Sequence, residues 1–550
     1  MLLGIDVGGT FTDAVLIDQG VLIAQAKTPT RQDALLECLM TAMDKVLVGR
    51  NCGDITRVGL STTIVTNGLA QGKEDKPLLF VMPGPGLNVS ERFPVKPTLL
   101  SGYVDHRGNV VAPPQLQELA VITETAELAV VSGKFAVRNP VNEQAVVSTL
   151  TKTGRFNYIA MGSAMSGALN FNRRTNSAYY AAATWRLTQQ FFHEAEMAII
   201  QRGIVAPIVV LKADGGALPI NDLLERGCEA IFTGPAASAL GVQALVQPHN
   251  KVISLDVGGT TTDIAIWQDG RPVMARSGAV INGHMTAVRA LLLRSIGIGG
   301  DSLLQVNQDG LAVGPMRLGP AMAFGGDAPT LTDALLAADR ITIGDKERAL
   351  AALTRLSDEE PVALAEKFIA IAVERIVAAI QEMLSEYEMR PVYTVDDLVN
   401  AQPFVPDCLI GVGGAAEGLT TLVGEQFGWP VSIPKAAVVA NAVGAAVARP
   451  TKCITLRADT SRNEILLVEA GVRQKVENGF SLNKAKKLVS GWLLNETASW
   501  RDADQEVEVI WEEQFSLVRG FSTTGKIINL SMQIKPGVLS AVAVEECEIK

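Results

Sequence analysis

One nine-residue stretch occurs twice in this chain and constrains its fold more than any other feature. Residues 5–13 read IDVGGTFTD and residues 255–263 read LDVGGTTTD, so each position n of the first copy matches n+250 of the second without a gap. The match runs on to Gly20 and Gly270. A self-match of this length between apolar flanks indicates an internal duplication.

Each copy predicts a β-hairpin whose turn can hold phosphate. The apolar runs at 2–5 and 252–255 are short and bounded by turn residues, as buried strands are. A glycine pair then allows a tight turn and brings backbone N–H groups close to an anion, and threonine hydroxyls add donors. We therefore predict phosphate contacts from both turns, namely from Gly8, Gly9, Thr10, Thr12, Gly258, Gly259, Thr260, Thr261 and Thr262.

Carboxylates flank both turns. Asp6 and Asp256 precede the glycine pairs and are placed to hold a divalent cation, usually through water. A single such motif could equally be an ordinary hairpin with a glycine turn, but two copies that both contain the aspartate favour phosphate chemistry. Asp13 and Asp263 follow the hydroxyls and are further candidate catalytic residues.

A later glycine-rich turn predicts the rest of a nucleotide site. Residues 409–416 form a strand, a glycine turn and the start of a helix. Alone this motif is weak, but after two phosphate hairpins something must receive the remainder of a nucleotide. We expect nucleotide contacts from this turn at Gly411, Gly413, Gly414 and Ala415.

Two other polar stretches leave alternatives open. Ser61-Thr62-Thr63 either caps a helix or lies at the end of a strand, where open α/β sheets bind ligands. Asp105-His106-Arg107 either forms a polar turn between strands or supplies a catalytic histidine. Because the chain contains only four histidines, His106 is kept as a candidate catalytic residue.

Composition argues against several classes of partner. A net charge of −10 without a basic run disfavours nucleic acid and anionic membranes as partners. The six cysteines are scattered, so reduced thiols are expected rather than a zinc or disulfide framework. The chain has no apolar run near the roughly 20 residues that span a bilayer, and no room for a signal peptide before its first strand. We therefore expect a cytoplasmic protein.

Alternating strand and helix patterns predict an α/β protein in three parts. Residues 1–190 are expected to form a first lobe, and residues 191–450 a second lobe with the glycine turn and a small-residue helix around Asn441 and Gly444. After Pro450 the chain becomes more polar and strand-prone, which predicts a C-terminal α+β appendage at 451–550, without identifiable chemistry.

This arrangement resembles the actin-like ATPase superfamily, whose members have two duplicated ribonuclease-H-like lobes around a nucleotide cleft. Within it, residues 1–450 or so are similar to the hydantoinase A/5-oxoprolinase family. The similarity rests on both hairpins and on further motifs in the family's order: Ser61-Thr62-Thr63, Asp105-His106-Arg107-Gly108, Val137-Arg138-Asn139-Pro140, Asp214-Gly215-Gly216, Gly234-Pro235-Ala236-Ala237-Ser238 and Ile298-Gly299-Gly300-Asp301-Ser302.

The resemblance implies ATP-dependent opening of a cyclic amide, such as a hydantoin or 5-oxoproline, through phosphorylation of the amide oxygen. It implies ATP with Mg²⁺ or Mn²⁺ as cofactors and a hydantoinase B-type subunit as a possible partner; a homo-oligomer is also expected. Two departures concern the substrate: Ser163-Ala164 stands where a family His-Glu pair is expected, and the C-terminal part is short.

Two other functions are compatible with the same motifs. A small-molecule kinase would release a stable phosphorylated product. An ATP-driven activator of a partner protein would hydrolyse ATP without consuming a small molecule, although the chain lacks the cysteine cluster of an iron–sulfur activator.

Overall fold

The structure, a computed structural model, describes residues 1–89, 91–121, 125–248, 250–308, 310–389, 403–477, 479–500 and 505–544. Its strands are β1 Leu2–Val7, β2 Phe11–Asp18, β3 Val21–Pro29, β4 Arg57–Thr62, β5 Leu78–Met82, β6 Thr98–Leu99, β7 Tyr103–Val104, β8 Val110–Ala112, β9 Leu128–Gly133, β10 Tyr158–Met161, β11 Ile208–Leu211, β12 Ala217–Pro219, β13 Val252–Val257, β14 Thr262–Gln268, β15 Arg271–Pro272, β16 Val280–Ile281, β17 His284–Met285, β18 Leu293–Ile296, β19 Leu304–Asn307, β20 Gly310–Val313, β21 Cys408–Val412, β22 Val431–Ser432, β23 Cys453–Asp459, β24 Glu464–Leu467, β25 Val472–Lys475, β26 Val507–Arg519, β27 Ser522–Ile534 and β28 Ala543–Val544.

The α-helices lie between and around these strands. They are α1 Leu35–Leu47, α2 Ile64–Ala70, α3 Val141–Lys152, α4 Gly162–Met165, α5 Phe171–Ala183, α6 Trp185–Gln201, α7 Ile220–Leu224, α8 Thr233–Val246, α9 Leu331–Ala337, α10 Lys346–Thr354, α11 Pro361–Glu388, α12 Ala416–Phe427, α13 Ala440–Val447 and α14 Leu482–Glu496. The helices α5 and α6 follow each other directly and meet at Thr184.

The first hairpin forms the centre of a seven-stranded sheet in the order β12-β11-β4-β1-β2-β3-β28. β1 pairs antiparallel with β2 and parallel with β4, and β4 pairs parallel with β11. The carboxyl ends of β1, β4 and β11 therefore meet at one edge of the sheet, which is the edge where open α/β sheets bind ligands.

The second hairpin repeats this arrangement in a sheet ordered β15-β14-β13-β21-β22, with β18 beside β14. β13 pairs antiparallel with β14 and parallel with β21, as β1 does with β2 and β4. Asp6 lies opposite Asp13 in the first hairpin, and Asp256 lies opposite Asp263 in the second. The predicted duplication is therefore a duplication of structure.

The predicted division at 190/191 falls inside α6, which runs without a break from Trp185 to Gln201. The strands that follow it, β11 and β12, belong to the sheet of the first hairpin. A separate four-stranded sheet, ordered β10-β9-β5-β6, is inserted between β4 and β11.

Two helices, α8 and α13, pack against each other through glycines. A Cβ atom built on Gly444 would lie 1.9 Å from the carbonyl oxygen of Ala237, and one on Gly241 would lie 2.1 Å from that of Ala440. Only glycine permits backbones to approach this closely. The small-residue helix predicted around Asn441 and Gly444 is confirmed as α13, with a 3₁₀ turn over Ala437–Val439 before it.

The C-terminal residues form a five-stranded antiparallel sheet in the order β25-β24-β23-β27-β26. Buried residues of α14, including Val489 and Leu493, pack with Leu456 and Leu530 of this sheet in one apolar core. An α+β unit is therefore present after residue 450, and its last strand, β28, returns to pair with β3 at the edge of the first sheet.

Composition led to expectations about membrane-spanning segments and about the cysteines, and both can be compared with the described residues. No helix in the described ranges is both long and apolar enough to cross a membrane. The five cysteines within those ranges are all free thiols.

Candidate functional site

The turns of the two hairpins have the same internal hydrogen bond and touch each other. The Gly8 N–H donates to the Phe11 carbonyl at 3.0 Å, and the Gly258 N–H donates to the Thr261 carbonyl at 2.9 Å. A Cβ atom built on Gly259 would lie 2.8 Å from Cγ2 of Thr10. The two predicted phosphate turns thus meet face to face in one site.

A third glycine-rich segment supports the second turn. Gly300 N–H donates to the Gly258 carbonyl at 2.9 Å, and Asp301 N–H donates to the Gly259 carbonyl at 2.7 Å. The Asp301 carboxylate accepts a hydrogen bond from Arg317 Nε at 2.9 Å. Asp301 therefore lies beside the second turn with its charge already paired.

Three buried aspartates, Asp6, Asp13 and Asp256, and the half-buried Asp263 surround the turns. Burial raises the pKa of Asp6 to about 7, and the nearby carboxylates of Asp13 and Asp256 add to the effect. Burial and the charge of Asp263 raise the pKa of Asp256 to about 7, and burial raises the pKa of Asp263 to about 6. Groups this strongly perturbed, close together at a sheet edge, mark a site built for ligand chemistry.

Lys27 of β3 is a cation of this site that the sequence did not point to. Its Nζ donates to both carboxylate oxygens of Asp13, at 3.0 and 2.9 Å, and to the Val438 carbonyl at 3.0 Å. Its charge partly offsets the rise in the pKa of Asp6 and of Asp256. Lys27 therefore places positive charge near the centre of the aspartate cluster.

The later glycine turn reaches the second hairpin. Gly413 has φ +95°, and a Cβ atom there would lie 2.6 Å from Oδ1 of Asp256. Ala415 N–H donates to the Val257 carbonyl at 3.2 Å. Gly414 has open space where a Cβ would lie, whereas Gly411 is packed closely against Thr420. Three of these four predicted nucleotide residues thus border the site, and Gly411 lies in the strand behind them.

Two of the predicted threonine donors, Thr12 and Thr262, are used within the fold. The Thr12 and Thr30 hydroxyls hydrogen-bond each other at 2.9 Å, and the Thr262 hydroxyl donates to the Ile298 carbonyl at 2.7 Å. The turn hydroxyls of Thr10, Thr260 and Thr261, together with the backbone N–H groups, are the donors that we expect to remain for phosphate.

The hydroxyl-rich segment Ser61-Thr62-Thr63 lies at the end of a strand. β4 ends at Thr62, and Thr63 precedes α2 without a side-chain cap. Thr63 N–H donates to the Val7 carbonyl at 3.1 Å, and Ser61 is the register partner of Asp6. The strand-end alternative therefore describes this segment, and it lies next to the first hairpin.

His106 is exposed and lies in the turn between β7 and β8. The neighbouring Asp105 carboxylate accepts hydrogen bonds from the N–H groups of Arg107 at 2.8 Å and Asn109 at 2.9 Å. Bonds from Asn109 lower the pKa of Asp105 to about 2. The polar-turn alternative describes this geometry, and a catalytic role for His106 stays a prediction.

Ser163, where a His-Glu pair was expected, binds a buried glutamate instead. Its N–H and hydroxyl both donate to Glu143 Oε2, and the Gly133 N–H donates to Oε1 at 2.7 Å. Burial raises the pKa of Glu143, and the Arg174 guanidinium partly offsets that rise. Where the family pattern has a His-Glu pair, Ser163 therefore takes part in a buried hydrogen-bond network around Glu143.

The residues at the turns fit a magnesium ion held mainly by nucleotide phosphates. Within the described ranges, no group of three or more His, Cys, Asp or Glu side chains is arranged to hold a metal by itself. Mg²⁺ usually takes only one or two carboxylates, with waters and substrate phosphates as its other ligands. Asp6 Oδ1 is buried and has no hydrogen-bond partner, so this oxygen has a lone pair to offer a cation or its water.

The duplicated hairpins, the paired glycine-containing helices and the late glycine turn form the duplicated α/β fold that the resemblance to the actin-like ATPases implies. Two family profiles cover most of the chain: hydantoinase/oxoprolinase N-terminal region at residues 2–154, and hydantoinase/oxoprolinase at residues 174–453. The chain belongs to the hydantoinase/oxoprolinase family.

Two curated relatives are similar in sequence. The alpha subunit of caprolactamase from Pseudomonas jessenii is 25% identical over 485 residues, which cover 79% of this chain and 68% of that protein. An uncharacterized protein of Methanocaldococcus jannaschii is 24% identical, over 69% of this chain and 61% of its own length. This chain thus spans about two thirds of the length of these two relatives.

Two solved structures share the fold over almost the whole chain. Nucleotide-free acetone carboxylase superposes with a TM-score of 0.71 at 16% identity, covering 98% of this chain and 87% of the other. The ATP-dependent caprolactamase of Pseudomonas jessenii superposes with a TM-score of 0.69 at 18% identity, covering 100% of this chain and 89% of the other. At these identities the likeness concerns the fold alone.

Proposed function

We propose that this protein uses ATP to open the ring of a cyclic amide. The observation that carries the proposal is the contact between the two hairpin turns, with a buried aspartate behind each. Phosphoryl transfer asks a protein mainly to position phosphates and neutralise their charge. Glycine turns, hydroxyls and Lys27 supply these needs, and a magnesium ion held by Asp6 and Asp256 would add to them.

The proposed reaction begins with attack of the amide oxygen on the γ-phosphorus of ATP, which forms an O–P bond and releases ADP. Water then adds to the activated carbon, and the C–N bond breaks to give an amine and an acyl phosphate. A second water attacks the acyl carbon and breaks its bond to the bridging oxygen, which gives a carboxylate and a phosphate that keeps the former amide oxygen. The family and the ATP-dependent caprolactamase support this class of reaction.

Magnesium, when bound, would neutralise charge on the nucleotide phosphates. Asp6 and Asp256 are the residues that would hold it, directly or through water, once both carboxylates are ionised. We assign Lys27 to the same phosphates as a fixed cation from the first sheet. Turn N–H groups and the hydroxyls of Thr10 and Thr260 would orient the γ-phosphoryl group.

A B-type partner subunit is part of the proposal. The caprolactamase relative is named as an alpha subunit, and an acetophenone carboxylase relative from Aromatoleum aromaticum is named as a gamma subunit. In such an assembly, this chain would carry the ATP step, and the partner would complete hydrolysis of the activated amide.

The proposal is tested by measuring ADP formation with Mg²⁺ and ATP while screening hydantoins and lactams of different ring size. We expect at least one cyclic amide to stimulate turnover tenfold or more, with a ring-opened amino acid in the product mixture by mass spectrometry. A stable phosphorylated product would instead identify a kinase, and ATP turnover that depends only on a protein partner would identify an activator.

A further inference from the structure

A large cavity lies between the first lobe and the C-terminal sheet. Its volume is about 720 Å³, within the range of small-molecule sites. Its walls come from α5, from the turn after β11, from the 274–289 segment and from strands β23, β26 and β27. The C-terminal part of the chain, which carries no recognisable motif, thus forms one wall of a ligand-sized space.

The cavity is bordered by residues at the sheet edge where the aspartate cluster lies. Lys212 and Asp214 line it, and they directly follow β11, whose carboxyl end lies beside that of β4 and, one strand further, that of β1. Neighbouring strands are about 4.8 Å apart, so the end of β11 lies about 10 Å from the strand of Asp6. A molecule in this cavity can therefore extend toward the phosphate turns.

Two cations line the cavity, and Arg289, unlike Lys212, has a hydrogen-bond donor without an acceptor. Lys212 is buried and pairs with Asp214 at 3.2 Å and with Glu229 at 3.8 Å. Arg289 also lines the cavity, but its only ion pair in the described part of the chain is a long one, 4.0 Å from Nη2 to Glu508. Its Nη1 is buried and has no hydrogen-bond partner. A buried guanidinium nitrogen in this state needs an acceptor, and a carboxylate fits its fork best.

We infer that this cavity is the amide-binding site and that Arg289 selects cyclic amides that carry a carboxylate. The inference rests on the proposed function and adds the substrate class to it. The ring lies toward Lys212 and Asp214, at the end nearest the phosphates, and the carboxylate lies on Arg289. The volume leaves room for a substituent larger than a bare five-membered ring.

A matched pair of probes tests the carboxylate requirement. 5-Oxoproline and 2-pyrrolidinone have the same lactam ring and differ only in the carboxylate. Calorimetry with the full chain and a non-hydrolysable ATP analogue should give at least tenfold tighter binding of 5-oxoproline. Arg289→Gln should remove that difference without changing the binding of 2-pyrrolidinone, while Arg289→Lys should retain part of it.

A second set of variants tests the location. Ala275 and Ala287 line the cavity and are only partly buried, so Ala275→Trp and Ala287→Trp should fill the cavity without disturbing the core. We expect both to abolish binding of 5-oxoproline. Ala351→Trp, on the exposed face of α10, is the matched control and should bind as the unchanged protein does. Thermal melting shows which variants are folded.

The outcomes separate this inference from the proposed function. Equal binding of the two probes, or unchanged binding in both folded Trp variants, overturns the cavity assignment even if cyclic amides stimulate ATP turnover. Arg289-dependent binding of 5-oxoproline without any stimulated turnover supports the site and contradicts the proposed reaction. If neither probe binds at millimolar concentration, the carboxylate-selective site is wrong.

Discussion

Thr10 of the first hairpin and Gly259 of the second are in contact: a Cβ atom on Gly259 would lie 2.8 Å from Cγ2 and 2.9 Å from Oγ1 of Thr10. Asp301 Oδ2 lies 2.9 Å from the same position. Each duplicated turn therefore forms part of the surface of the other. A phosphate held by one turn is within reach of donors from both.

Gly259→Ala tests this contact. Because a Cβ cannot be accommodated below 3.0 Å without movement, the methyl group should push the turns apart and weaken nucleotide binding at least tenfold. Titration with a fluorescent ATP analogue measures the effect. Gly319→Ala, where a Cβ would meet nothing within 4 Å, is the control. Unchanged affinity in Gly259→Ala would show that nucleotide binding does not depend on the contact between the two turns.

Asp6→Asn and Asp256→Asn test the assigned metal role. Each change keeps the shape of the side chain but removes the charge that attracts Mg²⁺, so we expect ATP turnover to fall 100-fold or more in both. Steady-state ADP release with varied Mg²⁺ is the measurement. The matched control is Asp269→Asn, an exposed residue with φ +52°, a conformation that asparagine also tolerates. Full turnover in both active-site variants would contradict the role.

The Mg²⁺ dependence should itself depend on pH. The pKa values of Asp6 and Asp256 are raised to about 7, so both carboxylates become protonated as the pH falls below 7. A proton on either carboxylate competes with the cation, so apparent Mg²⁺ affinity should fall about fivefold per carboxylate between pH 7 and pH 6. Nucleotide binding titrated with Mg²⁺ at pH 6, 7 and 8 checks this. Equal affinity at all three values would contradict it.

The same raised pKa values predict a change in stability. In the protein without ligands, the protonated forms stabilise the fold, and this contribution is lost as the pH rises through about 7. Asp6→Asn should therefore raise the melting temperature at pH 8 by about 2 °C or more, and by less at pH 6. Thermal melting at both pH values is the test, and an equal shift at the two would rule out the titration of Asp6 as its cause.

Gly444→Ala tests the close packing of α8 and α13. Its Cβ would lie 1.9 Å from the Ala237 carbonyl oxygen, so the two helices must separate. We expect a fall in melting temperature of several degrees, because backbone atoms rather than flexible side chains must move. Gly491→Ala, in α14 with no neighbour within 4 Å of its Cβ, should be neutral or stabilising. A Gly444→Ala variant as stable as the parent would contradict the packing.

Local patterns predicted the parts of the fold that depend on neighbouring residues. Both hairpins, the turn at Gly413 and the helix at Gly444 are readable because their glycines, hydroxyls and apolar flanks lie within short stretches. The boundary between the two lobes, which we expected at 190/191, could not be read from the sequence. The helical pattern of α6 continues through this position. That β11 belongs to the first sheet is recognised only from its pairing with β4.

Residues that reach the site from other elements could not be predicted. Lys27 lies on β3 in an ordinary strand pattern, and only the pairing of β3 with β2 brings it to Asp13. Arg317 meets Asp301 across a loop. Arg289 lines the proposed substrate cavity opposite a C-terminal sheet that has no motif of its own. In each case tertiary contact creates the chemistry.

The transfer of oxygen from amide to phosphate tests the central claim most directly. The full chain, alone and with a B-type subunit, would be incubated with Mg²⁺, ATP and a stimulating cyclic amide labelled with ¹⁸O at its ring carbonyl. Mass spectrometry would then read the label in the released phosphate. Phosphorylation of the amide oxygen predicts ¹⁸O-labelled phosphate in proportion to ring opening. Unlabelled phosphate accompanying the ring-opened product would contradict the account.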